Sequence, residues 1–369
     1  MIRIRQGQVT QIVSQRKGLT ELLVAISGEG EQQACNYDEL TGPVTAGDKV
    51  LLNTTAAAMG LGSGGVHFVM ANVTKPEKEA GLAGHIMKMR YGPTQVKVLA
   101  AEEPDSCWAE SINNTETLSG TPVVVGELHS MVAPAAAGVK ACSGGQAKVV
   151  YLMTDGAALP IYLSNLVHQL RECGLLDATV TCGHAFGGEF EAVNIYSALL
   201  TAVAAAKADV IIVAMGPGIV GTGSRYGHTG VEQGEIVNAV NILGGTPVAI
   251  PRISFADPRP RHHGLSHHTA TALGKIALTH CTVVFPKLEQ PAWIKTVTAQ
   301  IAAAWPVARH TVVWEDGRPA LKELANRGVK VSSMGRTPEQ DPAFFLAAGA
   351  AGSYAAAKIP NAAGNRCIP

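Results

Sequence analysis

ALLTAVAAAKADVIIVAMGPG, residues 198–218, changes pattern halfway along. Its first part is rich in Ala and Leu and of helical length, its second is the β-branched run Val210–Met215, and Lys207 and Asp209 separate the two. Those charges argue against one apolar span, so the stretch reads as a helix feeding a buried strand that stops at Gly216. A strand apolar on both faces belongs in a parallel sheet with helical crossovers.

The same alternation runs outward through the rest of the chain from residue 121. Strands are expected at 122–127, 148–153, 178–182, 209–215, 247–250, 282–285, 311–314 and 329–331. Helical patterns lie between them at 159–172, 193–207, 231–243 and 267–280, and an Ala- and Gly-rich helix follows at 342–358. Together they predict a doubly wound, mostly parallel, Rossmann-like α/β domain over 121–369. Upstream, short runs such as LTELLVAIS, DKVLLNT, VHFVMANV and TQVKVLA alternate with turn clusters such as SGEGE and GLGSGG. This predicts a small β-barrel or sandwich over 1–110. The polar, acidic stretch 101–120 marks the boundary, with a linker at 111–120.

Composition sets the outer limits. At 369 residues the chain is long enough for two cores, and 47% hydrophobic against 16% charged residues is far from the balance of disorder. Lys plus Arg and Asp plus Glu are each 29, so no global field draws the protein to nucleic acid or an anionic membrane. A small-molecule anion is the expected partner, held by local charge, and a homo-oligomer is compatible with this composition. Residues 1–11 show no signal-peptide core, and seven cysteines without a CxxC pair argue for reduced thiols. The cytoplasm is the expected compartment.

Ligands of open α/β sheets bind beyond the carboxyl ends of the strands. Here those ends read Glu127-Leu128-His129, Thr154-Asp155-Gly156 and Cys182-Gly183-His184, then a glycine loop and an Arg/His loop. The glycine loop carries Gly216, Gly218, Gly221, Gly223, Arg225 and His228. Gly216, Gly218 and Gly221 match G-x-G-x-x-G, but the spacing Thr229-x-x-Glu232 suggests a capping box that starts the helix after His228, and no acidic residue follows the next strand. What remains is a run of backbone N–H groups able to cradle an oxyanion.

The second loop holds Arg252, Asp257, Arg259, Arg261, His262, His263, His267 and His268. Arginine forks suit phosphate or carboxylate, and Ser266 as N-cap sets His267 and His268 in a first helical turn, where neutral imidazoles act as bases or ligate metal. His263 and His267 are the metal ligands to consider, although Gly264 and two prolines disfavour a helix joining them. Asp155, His184, His263, His267 and His268 are the acid–base candidates. Cys182 with His184 lacks the nucleophile elbow of a thiol enzyme.

GPGIVGTGSRYGHTGVEQGE, PRISFADPRPRHHGLSHHT, ELHSM and GHAFGGEFEAVN together resemble a bacterial family catalogued as domain of unknown function 3866. The resemblance spans nearly the whole chain and implies the two-domain plan; it carries no catalytic residue or substrate. From the residues themselves, three readings stand. The first is an enzyme acting on a phosphorylated or carboxylated small molecule, a nucleotide among them. The second is a non-catalytic anion or nucleotide sensor, or a scaffold. The third is a metal-dependent hydrolase using the His cluster. The cofactor is open, with a phosphate-bearing ligand and a metal both compatible.

Overall fold

A computed structural model describes residues 1–62, 64–305 and 309–360. The chain divides into two units, Met1–Val98 and Leu99–Pro369. The division falls ahead of the acidic stretch 101–120 that composition marks as the boundary. That stretch packs into the second unit, where Ala101 and Ile112 are buried with Ala204 and Ala205.

In the first unit, β1 (Ile4–Arg16), β2 (Leu19–Ile26), β3 (Gly30–Tyr37), β4 (Lys49–Asn53) and β5 (His67–Asn72) close into a barrel in the order β1-β2-β3-β5-β4. Alternating residues such as Val9, Leu22, Val24, Val50, Leu52 and Val69 point inward and form its core. The long β1 serves two neighbours, and its register shifts near Val9 and Ile12 bend it between them. At Gly7 a Cβ would collide with Val24, so glycine permits the crossing. A hairpin, β6 (Ile86–Lys88) and β7 (Val96–Val98), completes the unit.

The second unit is an α/β structure built on an eight-stranded sheet. Its strands are β8 (Pro122–Val125), β9 (Val149–Thr154), β10 (Ala178–Thr181), β11 (Phe190–Glu191), β12 (Val210–Met215), β13 (Thr246–Ala249), β16 (Thr282–Pro286) and β17 (Thr311–Glu315). A two-residue hairpin, β14 (Ile253–Ser254) and β15 (Gly264–Leu265), intervenes. The sheet order is β11-β10-β9-β12-β8-β13-β16-β17, and every pairing is parallel. β8, β9 and β12 are fully buried, as their unbroken apolar runs require.

Two sets of helices cover the sheet. Val132–Cys142, Arg318–Asn326 and Pro342–Ala356 pack on one another and on the sheet, while Ile195–Ala204 and Glu232–Ile242 form the second set, and both sets reach β8. In the first set a Cβ on Gly352 would collide with the Ala135 carbonyl, so the small residues of 342–358 allow near-backbone contact. No helix of the described residues is long and apolar enough to cross a membrane.

Three local expectations are corrected. Residues 329–331 form no strand; the eighth strand is the two-residue β11 at the opposite edge. The pattern at 267–280 is helical only over His267–Thr271 and then widens into a π-helical turn, Ala272–Ile276, where the Ala272 carbonyl occupies the space beside Gly234. The Thr229–Glu232 capping box does not form. Thr229 Oγ1 instead accepts from the Val220 amide at 3.3 Å, and the helix enters through a 3₁₀ turn, Thr229–Val231.

Candidate metal centre

The chain leaves β8 toward β9, β10 and β11 on one side, then returns through β12 to build β13, β16 and β17 on the other. The neighbouring carboxyl ends of β12, β8 and β13 therefore mark a point where the winding reverses, the usual place for a ligand in an open sheet. Glu127 follows β8, His228 closes the loop after β12, and Arg252, His262, His267 and His268 follow β13. Ser266 is the N-cap expected from sequence: its hydroxyl accepts from the His268 amide at 3.2 Å and holds His267 and His268 in the first turn.

One nitrogen from each of His228, His267 and His268 lies within 4.8 Å of the others, the one group of this kind among the described residues. The His228 and His268 rings stack at 3.7 Å, with His267 edge-on at 5.4 and 4.4 Å. His228 Nε2 faces the Arg225 carbonyl at 3.1 Å, which leaves Nδ1 as the lone-pair nitrogen. That Nδ1, His267 Nε2 and Glu127 Oε2 are buried and have no hydrogen-bond partner. A Cβ on Gly230 would stand 3.2 Å from His228 Nδ1 and 3.4 Å from both Glu127 Oε2 and Ile219 Cδ1, so glycine leaves open the space these atoms face.

Burial and neighbouring charge favour the neutral forms of His228, His262 and His267. Burial, reinforced by His268, His228 and Arg261, pushes His267 down to about 4. Burial, with Arg252 and Arg259, takes His262 down to about 3, and burial with His268 also lowers His228. Burial alone would raise the Glu127 carboxyl, but His268 and Arg252 beside it outweigh that and hold it below its ordinary range. Glu127 Oε1 lies 3.4 Å from Arg252 Nη1 and 3.7 Å from His268 Nδ1, and the same Arg252 Nη1 donates toward His268 Nδ1 at 3.4 Å. His228 and His267 held toward the neutral form, an ionised Glu127 and orphaned acceptors suit a divalent transition metal.

The arginines divide into two groups. Arg252 and Arg259 are committed to the buried Asp257, at 3.7 and 2.7 Å, and Arg336 joins them at 3.5 Å. The Arg259 fork and its charge hold Asp257 well below the usual carboxylate range. Asp257 therefore organises the loop, and Arg252 and Arg259 are not free forks. Arg261 is exposed, sits 3.8 Å from a Cβ position on Gly223, and has no carboxylate partner among the described residues. Arg225 is also exposed. The glycine loop is a self-satisfied hairpin for much of its length: Thr222, Gly227, His228 and Thr229 amides donate within it, at 2.8 to 3.1 Å. Gly221 pairs with His228 across it, and Gly218 and Gly223 adopt positive φ; Gly216 lies instead against the Ala158 carbonyl.

Asp155 and His184 meet each other, the His184 amide donating to Asp155 Oδ2 at 2.8 Å. Glu232, near both Asp155 and Gly156, is pushed up to about 7, first by burial and then by the Asp155 and Glu235 charges. His263 is exposed and packs edge-on against Phe255, so the histidine that turns toward His267 and His268 is His262, held at 2.8 Å by Ser266. Cys182 is buried. Sequence reasoning missed Gln233, whose amide donates to the Val125 and Ile250 carbonyls at 2.9 and 2.8 Å and ties the ends of β8 and β13. No sequence signal marked it, since Glu232, Gly234 and Glu235 around it read as an ordinary polar first turn.

Fold and site together define a parallel α/β protein with a three-histidine candidate metal centre at the carboxyl edge of its sheet. The chain belongs to the family described as protein of unknown function (DUF3866), whose model matches residues 33–352. No curated protein and no solved structure matches it.

Proposed function

We propose that this protein is a metal-dependent hydrolase of small anionic substrates, with His228, His267 and His268 binding a divalent transition-metal ion. The observation that carries this reading is the convergence of one nitrogen from each of His228, His267 and His268 within 4.8 Å, with His228 Nδ1, His267 Nε2 and Glu127 Oε2 buried and unpartnered. His228, His267 and His268 would hold the metal, which would supply a Lewis acid and activate water near neutral pH. Glu127, ionised and with Oε2 unpartnered, would take up a proton from water at that oxygen. Arg261, between the glycine loop and His267, pairs with a phosphate or carboxylate on the substrate, and Arg225 adds positive charge at the same loop. The reversal of winding at β8 supports a doubly wound, Rossmann-like reading of the sheet, in which this edge is the ligand edge.

Metal analysis of purified protein, followed by assays on 4-nitrophenyl phosphate and 4-nitrophenyl acetate with and without chelator, tests the proposal. The expected result is stoichiometric metal, hydrolysis of at least one ester abolished by chelation, and loss of both metal and activity in His267→Ala. A protein that binds no divalent metal overturns the centre, and one that binds metal but hydrolyses neither ester overturns the hydrolase reading.

A further inference from the structure

A cavity of about 480 Å³ is lined by residues that adjoin the candidate centre in the chain, Leu128 after β8 and Pro217 to Ile219 after β12. Leu128, which follows Glu127 directly, Leu166, Ile219 and Val331 give it apolar walls, and Lys330 and Met334 stand in its lining. Ile219 belongs to both places, since its Cδ1 shares the open space beside Gly230 with His228 Nδ1 and Glu127 Oε2. Lys330 is exposed and has no carboxylate partner among the described residues, and the cavity lining contains no acidic side chain. His129, also in the lining, is pushed down to about 4 by burial and adds no charge at neutral pH, its ring nitrogens engaged with Tyr151 and Ser164 at 3.1 and 2.6 Å. Met334 presents an exposed apolar side chain from a backbone with φ of 50°. Non-glycine residues adopt that left-handed geometry uncommonly, and surrounding structure must hold them there.

We infer that this cavity is the subsite for the non-reacting part of the substrate, and that it takes a small molecule with an apolar body ending in a carboxylate or a phosphate that pairs with Lys330. Its volume lies within the roughly 300–1,000 Å³ range of small-molecule pockets, and apolar walls with one cation match their usual chemistry. The inference deepens the metal-centre reading, on which it rests for the end of the substrate that reacts.

The test is calorimetric titration of metal-loaded, full-length protein with 4-phenylbutyrate and with phenyl phosphate. Lys330→Glu and Val331→Trp, one reversing the charge and one filling the cavity, are expected to weaken the better probe by about tenfold or more. The preferred probe identifies the anion as carboxylate or phosphate. Lys330 is exposed, so its variant keeps the fold even if the tryptophan does not. Neither probe binding, or equal binding to wild type and Lys330→Glu, overturns the subsite. Metal content separates the two readings: loss of metal in His267→Ala with probe binding retained supports both, whereas probe binding by a wild-type protein that takes up no metal leaves the subsite standing and removes the centre.

Discussion

Gly230 has no side chain, and the atoms around it depend on that. A methyl group there would enter the space shared by His228 Nδ1, Glu127 Oε2 and Ile219, at contacts tighter than side chains normally tolerate. Gly230→Ala is therefore expected to weaken zinc or manganese binding by about tenfold or more in a competition titration. Unchanged metal affinity would move the metal away from Gly230. The histidines also set an acid limit. The folded-state values of about 4 for His267 and His129 and about 3 for His262 lie below the ordinary 6.5, so between these values the unfolded chain binds more protons. Stability contributed by the neutral rings is complete above about pH 6.5 and is lost as pH falls toward 4 and below. Melting temperature should drop over that window, and His262→Gln should flatten the drop. Equal slopes in both proteins would show that His262 is not held neutral. Glu232 has the opposite sign: raised to about 7, it costs stability as pH climbs from its ordinary 4.5 through 7, so Glu232→Gln should raise the melting temperature at pH 8 but not at pH 5.

Among elements, the helix Glu232–Ile242 matters most to the site, because Gln233 reaches across to the strand ends that carry Glu127 and Arg252. Gln233→Leu takes the side-chain donor from the Ile250 carbonyl and from the Val125 carbonyl, which still accepts from the Ile250 amide at 3.0 Å, and is expected to cost roughly 1–3 kcal/mol in denaturant unfolding. A loss under 1 kcal/mol would mean that water replaces the amide. The composition of this helix made it legible, and so were β8, β9, β10, β12, β13, β16 and β17, whose β-branched runs are long enough to fix type and position. The short β11 was not legible, since two residues carry no period. Residues 329–331 misled for the complementary reason: three β-branched or charged residues after a helix look like a strand unless the cavity beside them is known. In the site, Ser266 announced the placement of His267 and His268 through its cap. His262 and His263 adjoin in sequence, and only the 3₁₀ turn Pro260–His262 decides which ring turns inward. The pairing of Arg252 and Arg259 with Asp257 was equally hidden, because basic residues in a loop look the same whether they await an anion or already hold one.

At the scale of the whole molecule, the two units treat their strand edges differently. The barrel of residues 4–72 closes on itself and has no edge, whereas the eight-stranded sheet has two. At one, β11 is only two residues long and Ala100 bridges its Glu191. At the other, β17 is a five-residue strand, Thr311-Val312-Val313-Trp314-Glu315, whose outer side faces no strand among the described residues. An open row of N–H and C=O groups on such a sequence is a template for another chain. With net charge zero and a pI of about 7.2, little charge repulsion opposes that encounter at neutral pH. Light scattering on heating is thus expected to be greatest near pH 7 and to fall on either side; a flat profile would exonerate charge. The bare β17 edge also sets a reaction order: unfolding of a single chain proceeds at a rate independent of concentration, but loss through edge pairing needs two chains, so the half-life of the heated protein should shorten as the solution is made more concentrated.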